Sequence, residues 1–269
     1  MKKLSEAEFE AKRASKQIVY GPIKSRRLGC SLGVNILPHT VKLCSFDCVY
    51  CECGFSTPEK KEGLPTINQI EQSLRNRLLE LIREKNLPDS ITFSGNGEPT
   101  LHPDFEEIIG MALSVRDELA PQTKITVLSN ATRIEEVKVF RSLKMVDNPI
   151  LKLDSAVTET MRKIDMPHSP QYNSEGLIHR LQDFRGNLII QTILVRGEHR
   201  GIKFDNTTEE EIEAYLEAIR KIGPRQVMLY ALDRPAPADY IEKVKFQELA
   251  ELAARIRDLG MSIDVSVAG

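Results

Sequence analysis

Tryptophan is missing from this sequence, and aromatic residues make up only 6% of its 269 positions. No stretch comes near the about 18 consecutive apolar residues that a membrane helix needs, so we expect no membrane partner. The segment 1–17 is partly basic but has no apolar centre, unlike a secretory signal. The formal net charge of −2 gives no overall electrostatic argument for nucleic-acid binding. A cytoplasmic protein is the expectation.

Cysteine is also scarce, but the five cysteines are crowded together. All lie between residues 30 and 53, and the rest of the chain has none: Cys30, Cys44, Cys48, Cys51 and Cys53. A disulfide framework would spread its cysteines over the fold, and a cytoplasmic protein would keep them reduced. The crowding therefore favours metal or redox chemistry.

Apolar segments bounded by Gly, Pro and polar residues alternate with segments of helical periodicity. The predicted strands are 28–37, 90–95, 124–130, 149–155, 187–197, 226–233 and 261–267. The predicted helices are 5–16, 66–86 (with a Thr66–Gln69 capping box), 103–119, 133–143 (capped by Thr132), 208–222 and 239–259, with short helical pieces in 156–184. This order predicts an α/β fold with parallel strands. Right-handed crossovers would curl about six units into a partial (β/α)6-type barrel, with an open doubly wound sheet as the alternative.

Polar residues follow several of these strands, where the site of a parallel α/β fold lies. The cysteine-rich loop, 38–63, follows the first predicted strand and opens on the same edge. The polar strand-end residues are Gly95, Asn96, Gly97, Glu98, Ser129, Asn130, Asp154, Ser155, Arg196, Gly197 and Asp233. The sequence thus predicts one site at this edge.

The cysteine spacing is C-x3-C-x2-C, formed by Cys44, Cys48 and Cys51. Three thiolates in one short loop can bind three irons of a cubane and leave the fourth iron open to a substrate. A structural zinc site completed by Cys53, His39 or His102 is the alternative, although zinc sites usually bring two ligand pairs and no second pair exists. A thioredoxin-like role needs the CxxC at a helix start, where this chain predicts a loop.

CSFDCVYC resembles the signature of the radical S-adenosylmethionine (SAM) superfamily. The resemblance implies a [4Fe–4S] cluster on the three cysteines, SAM cleavage to a 5′-deoxyadenosyl radical, and an external electron donor of the flavodoxin or ferredoxin type. It places Tyr50 near the adenine. SGNGEP resembles the Gly-Gly-Glu element that binds the SAM amino group, with Asn96 as an addition. The resemblance therefore implies that Tyr50, Gly95, Gly97 and Glu98 bind the cofactor. The strand-end residues Ser129, Asn130, Asp154 and Ser155 are expected to join them, with contact to the substrate as the alternative.

A narrower resemblance is to the branch of wyosine-type tRNA guanosine synthases and their short relatives. It rests on four segments: YGPIKSRRLGCSLGVNILP, KLCSFDCVYCECG, SGNGEPTLHPDF and TILVRG. An RNA base, in tRNA, is thus a candidate substrate. Those synthases carry further upstream cysteines for a second cluster, whereas only Cys30 and Cys53 remain here, so their reaction is not implied. A glycyl-radical activase of a partner protein and a non-catalytic zinc or RNA-binding module remain as alternatives.

The remaining expectations concern the domain boundary, a basic group near it, Cys30 and Lys152. We expect a basic N-terminal extension, 1–27, and a radical SAM partial-barrel domain, 28–269. The extension contains three basic residues close together, Lys24, Arg26 and Arg27. They form either a solvated basic loop or a contact for phosphate. Cys30, in a predicted strand, is expected to be a small buried side chain. Lys152 is a lysine of the Schiff-base type by chemistry, although lysines at strand ends more commonly pair with carboxylates.

Overall fold

The computed structural model describes residues 17–25, 28–57, 63–232 and 236–268. The predicted helix 5–16, Arg26, Arg27 and Asp233 lie outside this part of the chain. The described strands are β1 (Val19–Ser25), β2 (Gly29–Val34), β3 (Ser90–Phe93), β4 (Lys124–Ser129), β5 (Asn148–Lys152), β6 (Ile189–Leu194), β7 (Arg196–His199), β8 (Ile202–Asp205), β9 (Gln226–Ala231), β10 (Tyr240–Glu242) and β11 (Asp264–Ala268). The described helices are α1 (Ile67–Arg83), α2 (Phe105–Leu119), α3 (Val137–Met145), α4 (Thr158–Asp165), α5 (Ser174–Leu181), α6 (Glu209–Ile222) and α7 (Phe246–Arg257), with 3-10 turns at Pro99–Leu101 and Gln182–Phe184.

Eight strands form one curled sheet in the order β1-β2-β3-β4-β5-β6-β9-β11. Every neighbouring pair from β2 to β11 is parallel, and only β1 is antiparallel to its neighbour. The predicted partial barrel of parallel strands is therefore confirmed, and the open doubly wound alternative is not formed. The cysteine loop leaves the carboxyl end of β2, the first parallel strand.

Hydroxyl groups fill the inside of this sheet at the amino ends of its strands. Ser31 Oγ lies 2.8 Å from Thr92 Oγ1, and Ser90 Oγ lies 2.7 Å from Thr126 Oγ1. Side chains alternate between the two faces of a strand, so the apolar neighbours of these residues face the helices. Hydroxyl groups that satisfy one another therefore occupy the amino end of the barrel, while the cysteine loop lies at its carboxyl end.

Four details of the structure differ from the sequence predictions. β1 lies within the segment assigned to the N-terminal extension, and the strand predicted at 28–37 ends at Val34. α3 begins at Val137 rather than at residue 133, because the Thr132 hydroxyl donates to Asn130 Oδ1 at 2.9 Å instead of capping a helix. The segment predicted as helix 239–259 opens with β10.

β10 is a strand because a neighbouring glycine leaves room for it. Ile241 lies opposite Gly197 in an antiparallel pair, and β7, β8 and β10 form a second sheet of three strands. A Cβ on Gly197 would lie 2.2 Å from the carbonyl oxygen of Tyr240. The glycine in TILVRG therefore serves the close approach of another backbone.

Asp147 joins three elements at the amino end of the barrel. Its Oδ2 accepts hydrogen bonds from Arg116 of α2 at 2.7 Å and from the Ile125 N–H of β4 at 2.8 Å. Burial alone would raise the pKa of Asp147, but the Ile125 N–H and Arg116 bring it below its ordinary 3.8. The carboxylate therefore contributes stability above pH 3.8 that is lost as the pH falls below that value.

We expect Asp147→Asn to lower the free energy of unfolding by about 1–3 kcal/mol near neutral pH, because it removes a charged acceptor from two hydrogen bonds. The difference from the wild type should shrink as the pH falls below 3.8. Asp117→Asn is the matched control, because Asp117 pairs with the same arginine but is 66% exposed. Its effect should stay within about 0.5 kcal/mol. Chemical denaturation across pH tests this, and a pH-independent difference would contradict it.

Candidate active site

Leu43 joins the cysteine loop to the loop after β3 through two backbone hydrogen bonds. The Leu43 N–H donates to Asn96 O at 2.8 Å, and the Glu98 N–H donates to Leu43 O at 2.9 Å. Gly97 lies between these bonds with a φ of +137°, and a Cβ there would lie 1.7 Å from Leu43 O. A side chain at Gly97 would therefore push away the residue that precedes Cys44.

Asn96, the addition to the Gly-Gly-Glu pattern, is 7% exposed and holds the start of the cysteine loop. Its Nδ2 donates to Pro38 O at 3.0 Å and to His39 O at 2.7 Å. Gly95 precedes it, and a Cβ there would lie 2.3 Å from Asn35 Oδ1. The Asn96 side chain thus fastens the loop start to the end of β3.

Two other segments cover the cysteine loop from the β5–β6 and β9 sides. The backbone N–H groups of Asp47 and Val49 donate to carbonyls in the segment 164–168 at 3.2 and 2.9 Å, and His168 N–H in turn donates to Ser45 O at 2.9 Å. On the other side, Ala238 N–H donates to Val49 O at 3.2 Å. The loop therefore has fixed backbone partners on three sides.

Each of the three predicted cysteine ligands meets a different polar group. Cys44 Sγ accepts from Asn130 Nδ2 at 3.7 Å, and Cys48 Sγ accepts from Lys152 Nζ at 3.3 Å. Burial raises the pKa of Cys44 to about 11 and that of Cys48 well above its usual value. A hydrogen bond from the Cys53 side chain lowers the pKa of Cys51 to about 6.

Lys42 is a functional candidate that the sequence analysis missed. Its ammonium is buried beside the loop and donates to Asp47 Oδ1 at 3.1 Å and to Gly54 O at 2.9 Å. Burial alone would raise the pKa of Asp47, but Lys42 and the Ser56 N–H bring it down to about 2. The ion pair closes the cysteine loop on itself and places a positive charge next to the thiols. The only available signal was its position two residues before Cys44.

The Glu98 carboxylate joins the ends of β3 and β4. Its Oε1 accepts from Ser129 Oγ at 2.7 Å and from Thr100 Oγ1 at 2.6 Å, and its Oε2 accepts from the Asn130 N–H at 2.6 Å. Glu98 is 2% exposed, and burial raises its pKa. Asn130 Nδ2 also donates to Ser45 Oγ at 2.8 Å. Glu98, Ser129 and Asn130 therefore form one connected group beside Cys44, as the strand-end argument predicted.

A second connected group lies at the end of β5, around Lys152. The Lys152 ammonium lies 2.6 Å from Asp154 Oδ2 and 2.8 Å from Asp165 Oδ1, and it also donates to the Tyr50 hydroxyl. The Tyr50 hydroxyl donates to Asp154. Burial alone would lower the pKa of Lys152, but the two carboxylates hold it well above its usual value. Burial raises the pKa of Asp165, which sequence reasoning missed, and the Lys152 ammonium acts in the opposite direction.

Ser155 and Cys30 lie apart from these groups. The Ser155 hydroxyl donates to Glu211 Oε2 of α6 at 2.6 Å, on the helix side of the sheet. Cys30 is at the amino end of β2, where its N–H donates to Asp89 Oδ2 at 2.7 Å, and it is partly exposed rather than buried as expected. Cys53, in contrast, lies near the site, with its Sγ 3.6 Å from Gly95 O.

A cavity of about 880 Å³ opens on the outer side of the segment that covers the cysteine loop. Its apolar part includes Met166 and Phe204. The charged and titratable residues that line it are Asp47, Glu159, Arg162, Lys163, His168, His199 and Arg200. Three permanent cations therefore face two carboxylates at this cavity, which gives it a positive balance. None of the helices in the described part of the chain combines the length and the apolar character that crossing a membrane requires.

Comparison with known proteins identifies a family and a relative of known sequence. A family model described as the Radical SAM superfamily matches residues 40–200. The UPF0026 protein of Helicobacter pylori (strain J99) is 32% identical over 222 residues, which are 81% of this chain and 67% of that protein.

Two solved structures share the fold. Streptococcus suis SuiB bound to S-adenosylmethionine has a TM-score of 0.64 at 14% identity over 88% of this chain, which spans only 50% of SuiB. TYW1 with a lysine-pyruvate adduct bound has a TM-score of 0.58 at 15% identity, covering 85% of this chain and 73% of TYW1. At these identities the likeness shows the architecture alone.

Proposed function

The chain belongs to the radical SAM superfamily, and on that premise we propose that Cys44, Cys48 and Cys51 hold its [4Fe–4S] cluster. The chain is an enzyme whose cofactors are this cluster and SAM, as the cysteine motif predicted. When bound, the cluster supplies an electron for the cleavage of SAM, which yields a 5′-deoxyadenosyl radical that takes hydrogen from a substrate. The observation that carries the proposal is the contact of the cysteine loop with the ends of β3, β4 and β5 at Leu43, Cys44 and Cys48.

The donor set fits this cluster. Among residues 17–25, 28–57, 63–232 and 236–268, no three His, Cys, Asp or Glu side chains converge on one metal ion. A cubane does not require such convergence, because each of its thiolates binds a different iron. Two buried lysines, Lys42 and Lys152, provide positive charge beside the thiols. Such charge favours thiolates as metal ligands.

We propose that the loop after β3 binds the amino end of SAM. Gly95 and Gly97 have no side chains that would keep SAM away from the backbone of this loop. Glu98 supplies a carboxylate for the ammonium group of SAM. Glu98 Oε2 accepts only the Asn130 N–H among the bonds found in the described residues, so it has room for a second donor. Ser129 and Thr100 hold the other oxygen and thereby fix the direction of the carboxylate.

Tyr50, Asp154, Asn130 and Ser155 complete the proposed cofactor set. Tyr50 and Asp154 are held together through Lys152 beside Cys48, on the face of the sheet that the cysteine loop covers. The covering segment, 164–168, limits the entry of water on that side. The Ser155 hydroxyl bonds to Glu211 in the helix layer. Ser155 would therefore affect SAM indirectly, by holding the end of β5 in place.

Cluster reduction needs an external donor in this superfamily, and we propose a protein of the flavodoxin or ferredoxin type in the cytoplasm. For the substrate we propose an RNA base, as in tRNA. The support is the 880 Å³ cavity next to the cysteine loop, where Arg162, Lys163 and Arg200 outnumber the carboxylates of Asp47 and Glu159 and give a positive balance toward phosphates. Lys163 is paired with Glu159 at 2.7 Å, so Arg162 and Arg200 carry that balance.

Anaerobic reconstitution of the full chain tests the cofactor proposal. We expect a brown protein with about four irons and four sulfides per chain. Reduction by dithionite in the presence of SAM should release 5′-deoxyadenosine. A colourless, zinc-loaded protein that leaves SAM intact would contradict the proposal and favour the non-catalytic module.

The substrate is tested separately, by adding total tRNA or RNase-treated cell extract to the reduced enzyme. We expect tRNA to stimulate 5′-deoxyadenosine release, and deuterium from labelled RNA to appear in that product. Stimulation by a protein fraction alone, with a radical trapped on the protein, would contradict the RNA proposal and favour an activase.

A further inference from the structure

Lys152 has an unusual place for a lysine, because its ammonium touches a thiol of the cysteine loop. Lys152 is the last residue of β5 and pairs with Gln191 of β6, so its position is set by the sheet. Its Nζ lies 3.3 Å from Cys48 Sγ, within hydrogen-bond distance for sulfur, and its side chain is only 14% exposed. Sequence reasoning assigned this lysine no role toward the cysteines.

Two carboxylates keep the ammonium at this place. Asp154 and Asp165 lie 2.6 and 2.8 Å from Nζ, and the Tyr50 hydroxyl is a further partner. A lysine that forms a Schiff base needs a free, uncharged amine. Lys152 is instead a charged ammonium whose three N–H groups are shared among four partners: Asp154, Asp165, the Tyr50 hydroxyl and the Cys48 sulfur.

A cluster on the three cysteines would place the Cys48 sulfur between its iron and this ammonium. Reduction adds one negative charge to a cluster that three thiolates already make anionic. A fixed positive charge in a water-poor site stabilises the more negative state more strongly. Hydrogen bonds to the ligand sulfurs act in the same direction and are among the features that set cluster potentials.

We infer that Lys152 is a positioning residue that raises the reduction potential of the cluster through its hydrogen bond to the Cys48 sulfur. This inference rests on the proposed function, because it requires Cys48 to be a cluster ligand. It assigns Asp154 and Asp165 the task of holding the ammonium against the sulfur. The role is electrostatic, and it makes no bond to the substrate.

The experiment is a redox titration of the reconstituted full chain without SAM, followed by the EPR signal of the reduced cluster. We expect Lys152→Met to lower the equilibrium constant for reduction about tenfold, a downward shift of about 59 mV for a one-electron couple. Lys152→Gln should give a similar shift, and it retains a polar group for Asp154 if the methionine variant folds poorly. Lys152→Arg, which keeps the charge, should recover most of the potential.

Lys124→Met is the matched control. Lys124 begins β4 at the opposite end of the sheet, about 17 Å along the strand from the site, and its side chain is 61% exposed. Its substitution should leave the potential unchanged. Fully loaded Lys152→Met and Lys152→Gln proteins with the wild-type potential would overturn the inference, even if their activity is lost. Failure of the wild-type chain to bind a four-iron cluster would instead contradict the proposed function.

Discussion

Cys44→Ala, Cys48→Ala and Cys51→Ala are each expected to reduce 5′-deoxyadenosine release to the level measured without protein. Each substitution removes one of the three thiolates that a cubane needs from the protein, and we expect the nearby Cys53 thiol not to replace it. Iron and sulfide content, visible absorbance and SAM cleavage should fall together in all three variants. The loss is a loss of cofactor, so far-UV circular dichroism should remain that of the wild type.

Cys30→Ala is the control for these variants. Cys30 lies at the amino end of β2, whereas the cysteine loop leaves the carboxyl end of the same strand. Its thiol therefore cannot reach the site, and the variant should load iron and cleave SAM at the wild-type level. Equal damage from Cys30→Ala, or full activity in any of the three loop variants, would contradict the assignment of the ligands.

Among substitutions that add one methyl group near the site, we expect Gly97→Ala to reduce stability and cluster binding most. The new Cβ would lie 1.7 Å from Leu43 O, at a φ of +137° that side chains rarely adopt. The bonds that fix Leu43 and Glu98 would break, so both Cys44 and the Glu98 carboxylate would move. We expect a loss of about 3 kcal/mol, or roughly 6–12 °C in Tm, together with little or no bound cluster.

Gly110→Ala provides the opposite case within the same fold. Gly110 lies inside α2, and a Cβ there would meet nothing within 4 Å. Alanine is the better helix former by about 0.5–1 kcal/mol, so this variant should be slightly more stable and should load its cluster normally. A Gly97→Ala protein with normal iron content would show that the contact of Leu43 with Gly97 does not control the ligand loop.

The features predicted correctly from the sequence are local in the chain. The Cys44–Cys51 spacing lies within one loop, and the alternation of apolar and helical segments is a short-range pattern that implies parallel strands. The Thr66–Gln69 capping box was also predicted, and both of its hydrogen bonds are present. The convergence of Glu98 with Ser129 and Asn130 follows from parallel strands alone, because their carboxyl ends share an edge.

The features that the sequence analysis missed depend on partners far along the chain. β1 was assigned to a basic extension, because only its antiparallel pairing with β2 makes it a strand. Asp165 is the last residue of a helix, and nothing in the sequence around it indicates a site. Only the folded structure places it 2.8 Å from Lys152. The pairing of Tyr240–Glu242 with β7 likewise overrides the helical periodicity of that segment.

The backbone bonds around the cysteine loop bear on how the enzyme withstands oxygen. Leu43, Asp47 and Val49 are held by segments from β3, from 164–168 and from Ala238, so metal–ligand bonds are not what shapes the loop. We therefore expect iron binding to contribute little of the folding free energy, unlike in small domains that are unfolded without their metal. For the same reason, we expect a cluster lost to oxygen to be replaceable in a folded protein.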